Sequence, residues 1–259
     1  MRYGSHTANE LLNFETNHLA LFEDFLADEP DIDCAFHITT AFDVCMTDSM
    51  ARTAEASFRA RQQDFPDDMA ACRELVSAEE IKRVTGVQGA KWAAMYRVAS
   101  IWPYKLATGV LERCFVLATA GGRSFALHTT TPVLSLSTRG EREHVVKTPR
   151  GEMIARQVAV CTNGYASNLL PELANRVIPV KGTASSLLPP ERQPVGTPSA
   201  KIFRPLFTSY ALKFGDGGRG EYMISRQEGR REMILGGAKH VYVDDPTSWY
   251  GVYDDSKQL

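Results

Sequence analysis

The segment Val158–Pro190 constrains the fold of this chain more than any other part of the sequence. It begins with a short apolar run, Val158–Cys161, that predicts a buried strand, and Thr162, Asn163 and Gly164 follow directly. A glycine at the end of a strand can adopt a positive φ and lets the backbone come close to a ligand. We therefore expect a strand that ends in a turn against a nucleotide-type cofactor. The alternative is a strand end with ordinary turn chemistry, which needs no ligand.

Length and charge are those of an ordinary globular protein that binds small molecules. The 259 residues allow one large domain or two small ones, and 44% hydrophobic residues with 23% charged residues permit a sizeable core. Twenty-nine basic and 31 acidic residues give a net charge of -2, so neither nucleic acid nor an anionic membrane is favoured as a partner. This charge balance favours a small molecule as the partner, or no partner at all.

The five cysteines favour a reducing compartment. They are scattered, odd in number and without a C-x-x-C pair, which argues against a disulfide framework and against a zinc site. The sequence begins without a signal-peptide pattern and contains no stretch of the ~20 apolar residues that a membrane span requires. We therefore expect a soluble cytoplasmic protein. A peroxisomal protein is the alternative, because Lys257-Gln258-Leu259 loosely matches the S-K-L address.

Apolar periodicity and end signals predict four helices. The predicted helices are Asn9–Leu26, Asp48–Phe65, Ser77–Gly86 and Trp102–Gly121. Ser77 and Glu80 have the spacing of a capping box, in which each side chain accepts a hydrogen bond from the other residue's amide.

Runs of β-branched and aromatic residues predict strands in the remainder of the chain. The predicted strands are Ile32–Cys45, Phe125–Thr129, Val133–Ser137, His144–Thr148, Met153–Ala155, Val158–Thr162, Lys201–Phe214, Tyr222–Gln227 and Met233–Gly237. Loose alternation in the first predicts an antiparallel sheet with one wet face. The run from Phe125 to Thr162 predicts a strand that enters a sheet, a three-stranded meander, and a strand that returns.

Several blocks occur in an order that a known family shares. They are Ser100–Leu106, His128–Val133, Thr162–Pro171, Pro179–Gly182, Tyr222–Arg226 and Ile234–Gly237. Together they resemble the FAD-dependent oxidoreductases of the D-amino-acid oxidase superfamily, in the branch related to glycine and sarcosine oxidases. The resemblance implies a fold of α+β or α/β class. It combines an incomplete FAD-binding (glutathione-reductase-like) domain, which has a β-meander crossover, with an antiparallel-sheet substrate domain.

The same resemblance divides the chain between these two domains. Residues 1–30 and 100–182 would form the partial FAD-binding domain. Residues 31–99 and 183–259 would form the substrate domain.

The sequence departs from the family at both ends. It does not open with a strand followed by G-x-G-x-x-G, the motif that seats the FAD diphosphate on a helix N-terminus in this family. Arg2–His6 looks like an R-N-G-G-H block that lies well inside the family sequence, and the glycine-rich FAD segment expected after Asp254–Ser256 is missing. The chain therefore looks like the middle of a longer flavoenzyme, truncated at both ends, and it is open whether FAD is retained. Phe125–Thr129 and Val158–Cys161 would then expose an apolar sheet edge and favour self-association.

The resemblance also implies site residues. Those that would approach FAD are Thr131, Pro132, Val133, Thr162, Asn163 and Gly164. Arg226, Tyr210 and Tyr222 lie on predicted strands of the substrate half, where family members use arginine or tyrosine to hold a substrate carboxylate. All three can equally be ordinary residues of an antiparallel sheet, and no catalytic residue is assigned.

Other chemistry-bearing residues give weaker signals. His6 and His240 are titratable, but a lone histidine is more often structural. Gly215–Gly220 lacks the Lys-Ser/Thr of a phosphate-binding loop and predicts a hairpin connection. Paired aspartates such as Asp244-Asp245 predict solvated turns, because adjacent residues of a strand point to opposite faces. No metal site is predicted.

Two functional hypotheses remain open. The first is an FAD-dependent oxidoreductase that oxidises the C–N bond of an amine or amino acid and yields an imine and hydrogen peroxide. The second is a catalytically silent remnant that binds a ligand or partner through the substrate-type sheet. The sequence leaves open whether this chain is itself an active enzyme.

Overall fold

The protein forms two compact units in the computed structural model. The structure describes residues 4–140, 142–178, 182–188, 207–215, 219–226, 229, 232–237 and 245. The larger unit comprises Met1–Arg113 with Thr183–Val243, and the smaller unit comprises Cys114–Gly182 with Asp244–Leu259.

Five helices and ten strands are found in the described residues. The helices are α1 (Gly4–Asp28), α2 (Asp48–Asp64), α3 (Ala78–Thr85), α4 (Pro103–Ala120) and α5 (Ala166–Leu169). The strands are β1 (His37–Cys45), β2 (Arg73–Leu75), β3 (Trp92–Ser100), β4 (Ser135–Arg139), β5 (Glu143–Thr148), β6 (Gly151–Ala155), β7 (Thr183–Leu187), β8 (Thr208–Gly215), β9 (Arg219–Ser225) and β10 (Met233–Gly237).

Strand β1 lies inside the seven-stranded sheet of the larger unit, whose order is β2-β3-β1-β8-β9-β10-β7. It pairs with β3 antiparallel along its whole length and with β8 in parallel from Thr40 to Cys45. The other described pairings of this sheet are antiparallel. The α+β class is therefore confirmed, but the sheet is mixed. A parallel pair is possible here because a long connection separates β1 from β8.

Apolar side chains cover both faces of β1 near its carboxyl end. One face belongs to a cluster of Phe42, Val44, Leu75, Ile81, Ala90, Ala93 and Tyr210. The other face belongs to a cluster of Cys45, Ala51, Trp92 and Ala94, which includes α2. The prediction of a solvent-exposed face is therefore wrong for this half of β1, because helices α3 and α2 supply apolar residues that cover its two faces.

Helix α3 begins and ends at the residues that predict it. The Ser77 hydroxyl accepts a hydrogen bond from the Glu80 amide at 3.1 Å, and Gly86 ends the helix with a φ of +77°. The Glu80 carboxylate accepts from the amide of Val76 at 3.3 Å, not from that of Ser77. Its other oxygen accepts from the Arg73 guanidinium, which holds the carboxylate one residue away from the predicted position.

The smaller unit contains the predicted β-meander. Strands β4, β5 and β6 form an antiparallel three-stranded sheet in chain order. The two turns that join them contain Gly140, with a φ of +65°, and Gly151, with a φ of +129°. These left-handed conformations suit glycine because it has no Cβ to clash.

The strands predicted on either side of the meander are wrong. Phe125–Thr129 and Val158–Cys161 contain no regular strand, and no described strand lies beside them. A strand needs a neighbour for its backbone hydrogen bonds, so an apolar run alone does not form one. Phe125 packs instead edge-on against Phe115 of α4, with ring centres 4.6 Å apart.

Helix α1 has the predicted amphipathic pattern, yet polar contacts anchor it. Phe14 is 65% exposed, whereas Asn9 is 7% exposed. The side-chain amides of Asn9 and Asn13 donate to the Asp68 carboxylate at 2.6 and 2.8 Å, and the Arg61 guanidinium donates to the Asn9 oxygen at 2.8 Å. The two amide hydrogen bonds hold the pKa of the Asp68 carboxyl below its usual range.

The compact units do not by themselves assign a cofactor domain and a substrate domain. They place residues 1–30 in the larger unit, whereas the sequence assigns them to the cofactor side. Compactness does not say which unit meets a cofactor, so the functional division stays a prediction. Among the described helices, none has the length and apolar character needed to cross a membrane.

Gly109 of α4 lets Ile32 approach the helix closely. A Cβ at position 109 would lie 2.8 Å from the Cγ2 of Ile32, a residue that is 9% exposed. Gly109→Ala should therefore fail to give the gain of about 1 kcal/mol expected from helix propensity, because overpacking costs about 1–3 kcal/mol. In an Ile32→Ala background the same change should stabilise. Urea unfolding of the four variants measures this, and an equal gain in both backgrounds would contradict the contact.

Candidate functional site

The first predicted cofactor segment is an exposed loop before β4. Thr130 has a φ of +52°, and the Thr131 hydroxyl donates to the Thr129 carbonyl at 2.8 Å. Pro132 and Val133 are exposed, and the Leu134 amide donates to the Lys147 carbonyl of β5 at 2.8 Å. The loop is thus fixed at both ends and leaves its middle open to a ligand.

The second predicted cofactor segment is a 3₁₀ turn that spans Asn163–Tyr165. The positive φ falls on Asn163, at +48°, and not on Gly164 as the sequence suggests. Asparagine tolerates this conformation better than most residues, because its short polar side chain can hydrogen-bond locally. Thr162 and Asn163 are exposed, and Gly164 is half-buried. The close approach of the backbone to a ligand, which the sequence predicts at Gly164, is therefore expected at Asn163 instead.

Tyr210, predicted to bind substrate, is a core residue of β8. It is 6% exposed, its ring lies 5.2 Å from that of Phe42, and its hydroxyl donates to the Thr85 carbonyl at 2.9 Å. The Tyr210 hydroxyl therefore already donates its proton to the carbonyl of Thr85, the last residue of α3.

Tyr222 lines an apolar cleft of about 350 Å³ in the larger unit. The cleft is bordered by Thr85, Gly86, Val87, Tyr210, Leu212, Glu221, Tyr222, Met223 and Leu235. The Tyr222 ring lies over Gly236 of β10, where a Cβ would overlap it, and the Glu221 carboxylate lies against Gly237 in the same way. The Gly236-Gly237 pair thus makes room for both side chains of β9, as glycines in strands do where a ring covers them.

Arg226, the third predicted substrate residue, follows β9 and stacks on Trp102. Its guanidinium lies 4.2 Å from the ring centre, and one of its nitrogens is 3.5 Å from the Glu232 carboxylate. The Arg226 amide also donates to the Glu232 carbonyl at 2.9 Å. An arginine held by stacking and by one carboxylate is well oriented, and part of its charge is already compensated.

The structure thus brings together only some of the predicted residues. Tyr210 and Tyr222 line the same cleft, whereas Arg226 is not among its lining residues. The two cofactor segments belong to the same compact unit. His6 packs edge-on against Phe65 with ring centres 5.4 Å apart, and His240 lies outside the described residues.

Sequence reasoning missed a polar cluster on β1. Asp43 accepts hydrogen bonds from the Lys213 ammonium at 2.6 Å and from the Tyr96 hydroxyl at 3.1 Å. Burial, and then the charge of Asp43, raises the pKa of the Tyr96 phenol. The only signal for this cluster is an aspartate inside an apolar strand. Within the described residues, no group of three or more His, Cys, Asp or Glu is placed to hold a metal ion.

Comparison with known proteins identifies the class. The family of FAD dependent oxidoreductases (DAO) has a sequence model that matches residues 2–257, and the chain belongs to this family. No curated protein sequence gives a significant match.

Solved structures show the same fold at low sequence identity. Glycine oxidase from Geobacillus kaustophilus has a TM-score of 0.60 at 16% identity, over 94% of this chain and 56% of that one. Glycine oxidase from Bacillus cereus ATCC 14579 has a TM-score of 0.61 at 10% identity, over 88% and 56%. Iminodiacetate oxidase from Chelativorans sp. BNC1 has a TM-score of 0.54 at 17% identity, over 85% and 55%. The chain therefore spans about half the length of these proteins.

The described residues fit contact with part of an FAD molecule. Among the described residues, the side chains of Thr162 and Asn163 have no hydrogen-bond partner, so their polar groups are available. Pro132 and Val133 are exposed in a second segment of the same unit, next to the half-buried Thr131. These residues would touch the cofactor. The only G-x-G-x-x-G in the sequence, Gly215–Gly220, lies where β8 ends and β9 begins, so it does not open a helix that could bind the diphosphate.

The reactivity of the cysteines tests the burial of Cys34 and Cys45 and the exposure of Cys161. Cys34 and Cys45 are buried, and burial raises the pKa of both thiols, whereas Cys161 is exposed beside the Thr162–Gly164 turn. A raised pKa lowers the fraction of reactive thiolate at a given pH. At pH 8 we therefore expect iodoacetamide to modify Cys161 well before Cys34 and Cys45.

Mass spectrometry of a labelling time course measures these rates. The same reaction in denaturant is the control, in which all thiols should react alike. Labelling of native Cys45 as fast as Cys161 would contradict the described burial.

Proposed function

We propose that the protein acts with FAD to oxidise the C–N bond of a small amine or amino acid. The match of the DAO family over residues 2–257 carries this proposal. Support also comes from the proteins of similar structure, which are glycine oxidase, L-proline dehydrogenase and iminodiacetate oxidase. Bound flavin would accept a hydride equivalent from the C–H bond beside the amine, and dioxygen would then take the two electrons as hydrogen peroxide.

The chain's own residues would hold and orient the two molecules. The proposed cofactor contacts are Thr131, Pro132, Val133, Thr162, Asn163 and Gly164, and the proposed substrate contacts are Arg226, Tyr210 and Tyr222. Tyr222 is the best placed of the substrate group, because it lines the cleft and is 41% exposed. An ordered phenol can donate a hydrogen bond to a substrate carboxylate.

Flavin binding is tested by equilibrium dialysis of the purified chain with FAD. Asn163→Gly should weaken flavin binding less than Asn163→Val, since glycine readily adopts a positive φ and only the side-chain contact is lost. Asn163→Val should weaken binding roughly tenfold, because a left-handed β-branched residue costs about 1–2 kcal/mol and the turn would relax to another conformation. FAD should also slow the alkylation of Cys161 in the parent chain.

Two outcomes would contradict the cofactor contact. One is that the chain retains no flavin. The other is that Asn163→Gly and Asn163→Val retain the same amount, with Cys161 equally reactive in both the presence and the absence of FAD.

Substrate binding is tested by Tyr222→Phe, which removes the hydroxyl and keeps the ring over Gly236. We expect KM for a small amino acid to rise about tenfold, with kcat and the melting temperature little changed, because one charge-assisted hydrogen bond is lost. Peroxide release or anaerobic flavin reduction gives the rates. Tyr104→Phe, at a tyrosine of α4 that is 72% exposed, is the matched control and should leave KM unchanged. Equal effects of the two variants would remove Tyr222 from the site.

Two further proposals concern the setting of the protein. We place it in the cytoplasm, and five free thiols support a reducing compartment.

Self-association is also proposed, but not through the segments that the sequence suggests, because these are not strands. The open edges in the described structure are β2 and β7 of the larger sheet and β4 and β6 of the meander. Met153 and Ile154 of β6 are 48% and 52% exposed, which makes this edge the candidate that sedimentation velocity should test.

A further inference from the structure

A cleft of about 670 Å³ opens at one end of the β5–β6 hairpin in the smaller unit. Its described lining consists of Arg142, His144, Arg156 and Gln157. His144 is half-buried, and the other three residues are exposed. This cleft shares no residue with the predicted cofactor segments or with the cleft beside Tyr222.

Strand register brings these residues together. His144 of β5 forms the last pair of the ladder with Ala155 of β6, so Arg142 on one side and Arg156 and Gln157 on the other lie at the same end of the hairpin. Arg142 lies in the turn between β4 and β5, and Arg156 comes directly after the last residue of β6. The basic groups are therefore carried by the ends of a paired hairpin and do not depend on a long loop.

Among the described residues, the lining of this cleft is cationic, with two arginines and no carboxylate. Among the described residues, neither the Arg142 nor the Arg156 guanidinium forms an ion pair or a hydrogen bond. Residues 138–157 carry five Lys or Arg against three Asp or Glu, in a chain whose net charge is -2. Two arginines that face one cleft repel each other, and an anion between them removes that repulsion.

We propose that this cleft binds a small molecule through a phosphate group. A guanidinium presents a planar fork of N–H donors that matches two phosphate oxygens. The Gln157 amide and the His144 ring offer further donors to the same group. A volume of about 670 Å³ accommodates an organic phosphate as large as a nucleotide, whereas a long polyanion would require basic residues well beyond the cleft. The site is independent of the proposed flavin contacts.

Isothermal titration calorimetry with pyrophosphate tests the proposal on the whole chain. Arg142→Ala and Arg156→Ala should each weaken binding roughly tenfold, because each removes a charge-assisted contact. Arg150→Ala is the matched control, since Arg150 is exposed in the turn at the opposite end of the hairpin and carries the same charge. It should change the affinity less than twofold.

Two further measurements identify the class of anion and test whether this site is distinct from the proposed FAD contacts. Malonate should bind at least tenfold more weakly than pyrophosphate, and saturating pyrophosphate should leave FAD retention unchanged. No pyrophosphate binding, or equal losses in all three arginine variants, would overturn the site. Equal binding of malonate would overturn the phosphate assignment, and displacement of FAD would overturn the independence of the two sites.

Discussion

The parallel pairing of β1 with β8 is the constraint on which the larger unit depends. Within the described residues, it is the pairing that joins β2, β3 and β1 to β8, β9, β10 and β7. The Asp43 carboxylate and the Lys213 ammonium lie 2.6 Å apart across this pairing, with side chains 26% and 35% exposed. A slip of one residue would move every side chain of β8 to the opposite face. The ion pair therefore favours one register more than it adds stability, since partly exposed pairs contribute little.

The pairing of β1 with β8 sets the positions of the proposed substrate residues. Tyr210 lies on β8 beside Phe42 of β1, and Tyr222 lies on the next strand over Gly236. Arg226 follows the same strand and is held by Trp102. The proposed cofactor residues belong to the smaller unit, where β5 fixes one end of the loop that contains Val133.

The sequence predicts local structure well where local interactions decide it. Ser77 and Gly86 bound α3 because a hydroxyl cap and a left-handed glycine act within a few residues. Met233–Gly237 forms the strand that its β-branched pattern predicts. Phe125–Thr129 and Val158–Cys161 fail for the opposite reason, since a strand exists only beside a partner and an apolar run does not reveal whether one is present.

The candidate site is predictable only in part for the same reason. A turn forms at Thr162–Gly164 as predicted, but its left-handed residue is Asn163, the first residue of the 3₁₀ helix Asn163–Tyr165. Tyr210 and Tyr222 are both correctly placed on strands, yet burial separates them into a core residue and a cleft residue. The Asp43–Lys213 pair joins residues 170 positions apart, a distance at which sequence patterns carry no signal.

Hydrogen–deuterium exchange of the purified chain, with and without FAD, tests the account most directly. The β1 and β8 amides should exchange slowest in both states, because they lie inside the sheet on which the larger unit depends. FAD should slow exchange in residues 129–134 and 160–166 and leave β1 unchanged. The account would be contradicted if β1 exchanged as fast as the exposed loops, or if FAD changed nothing in those two segments.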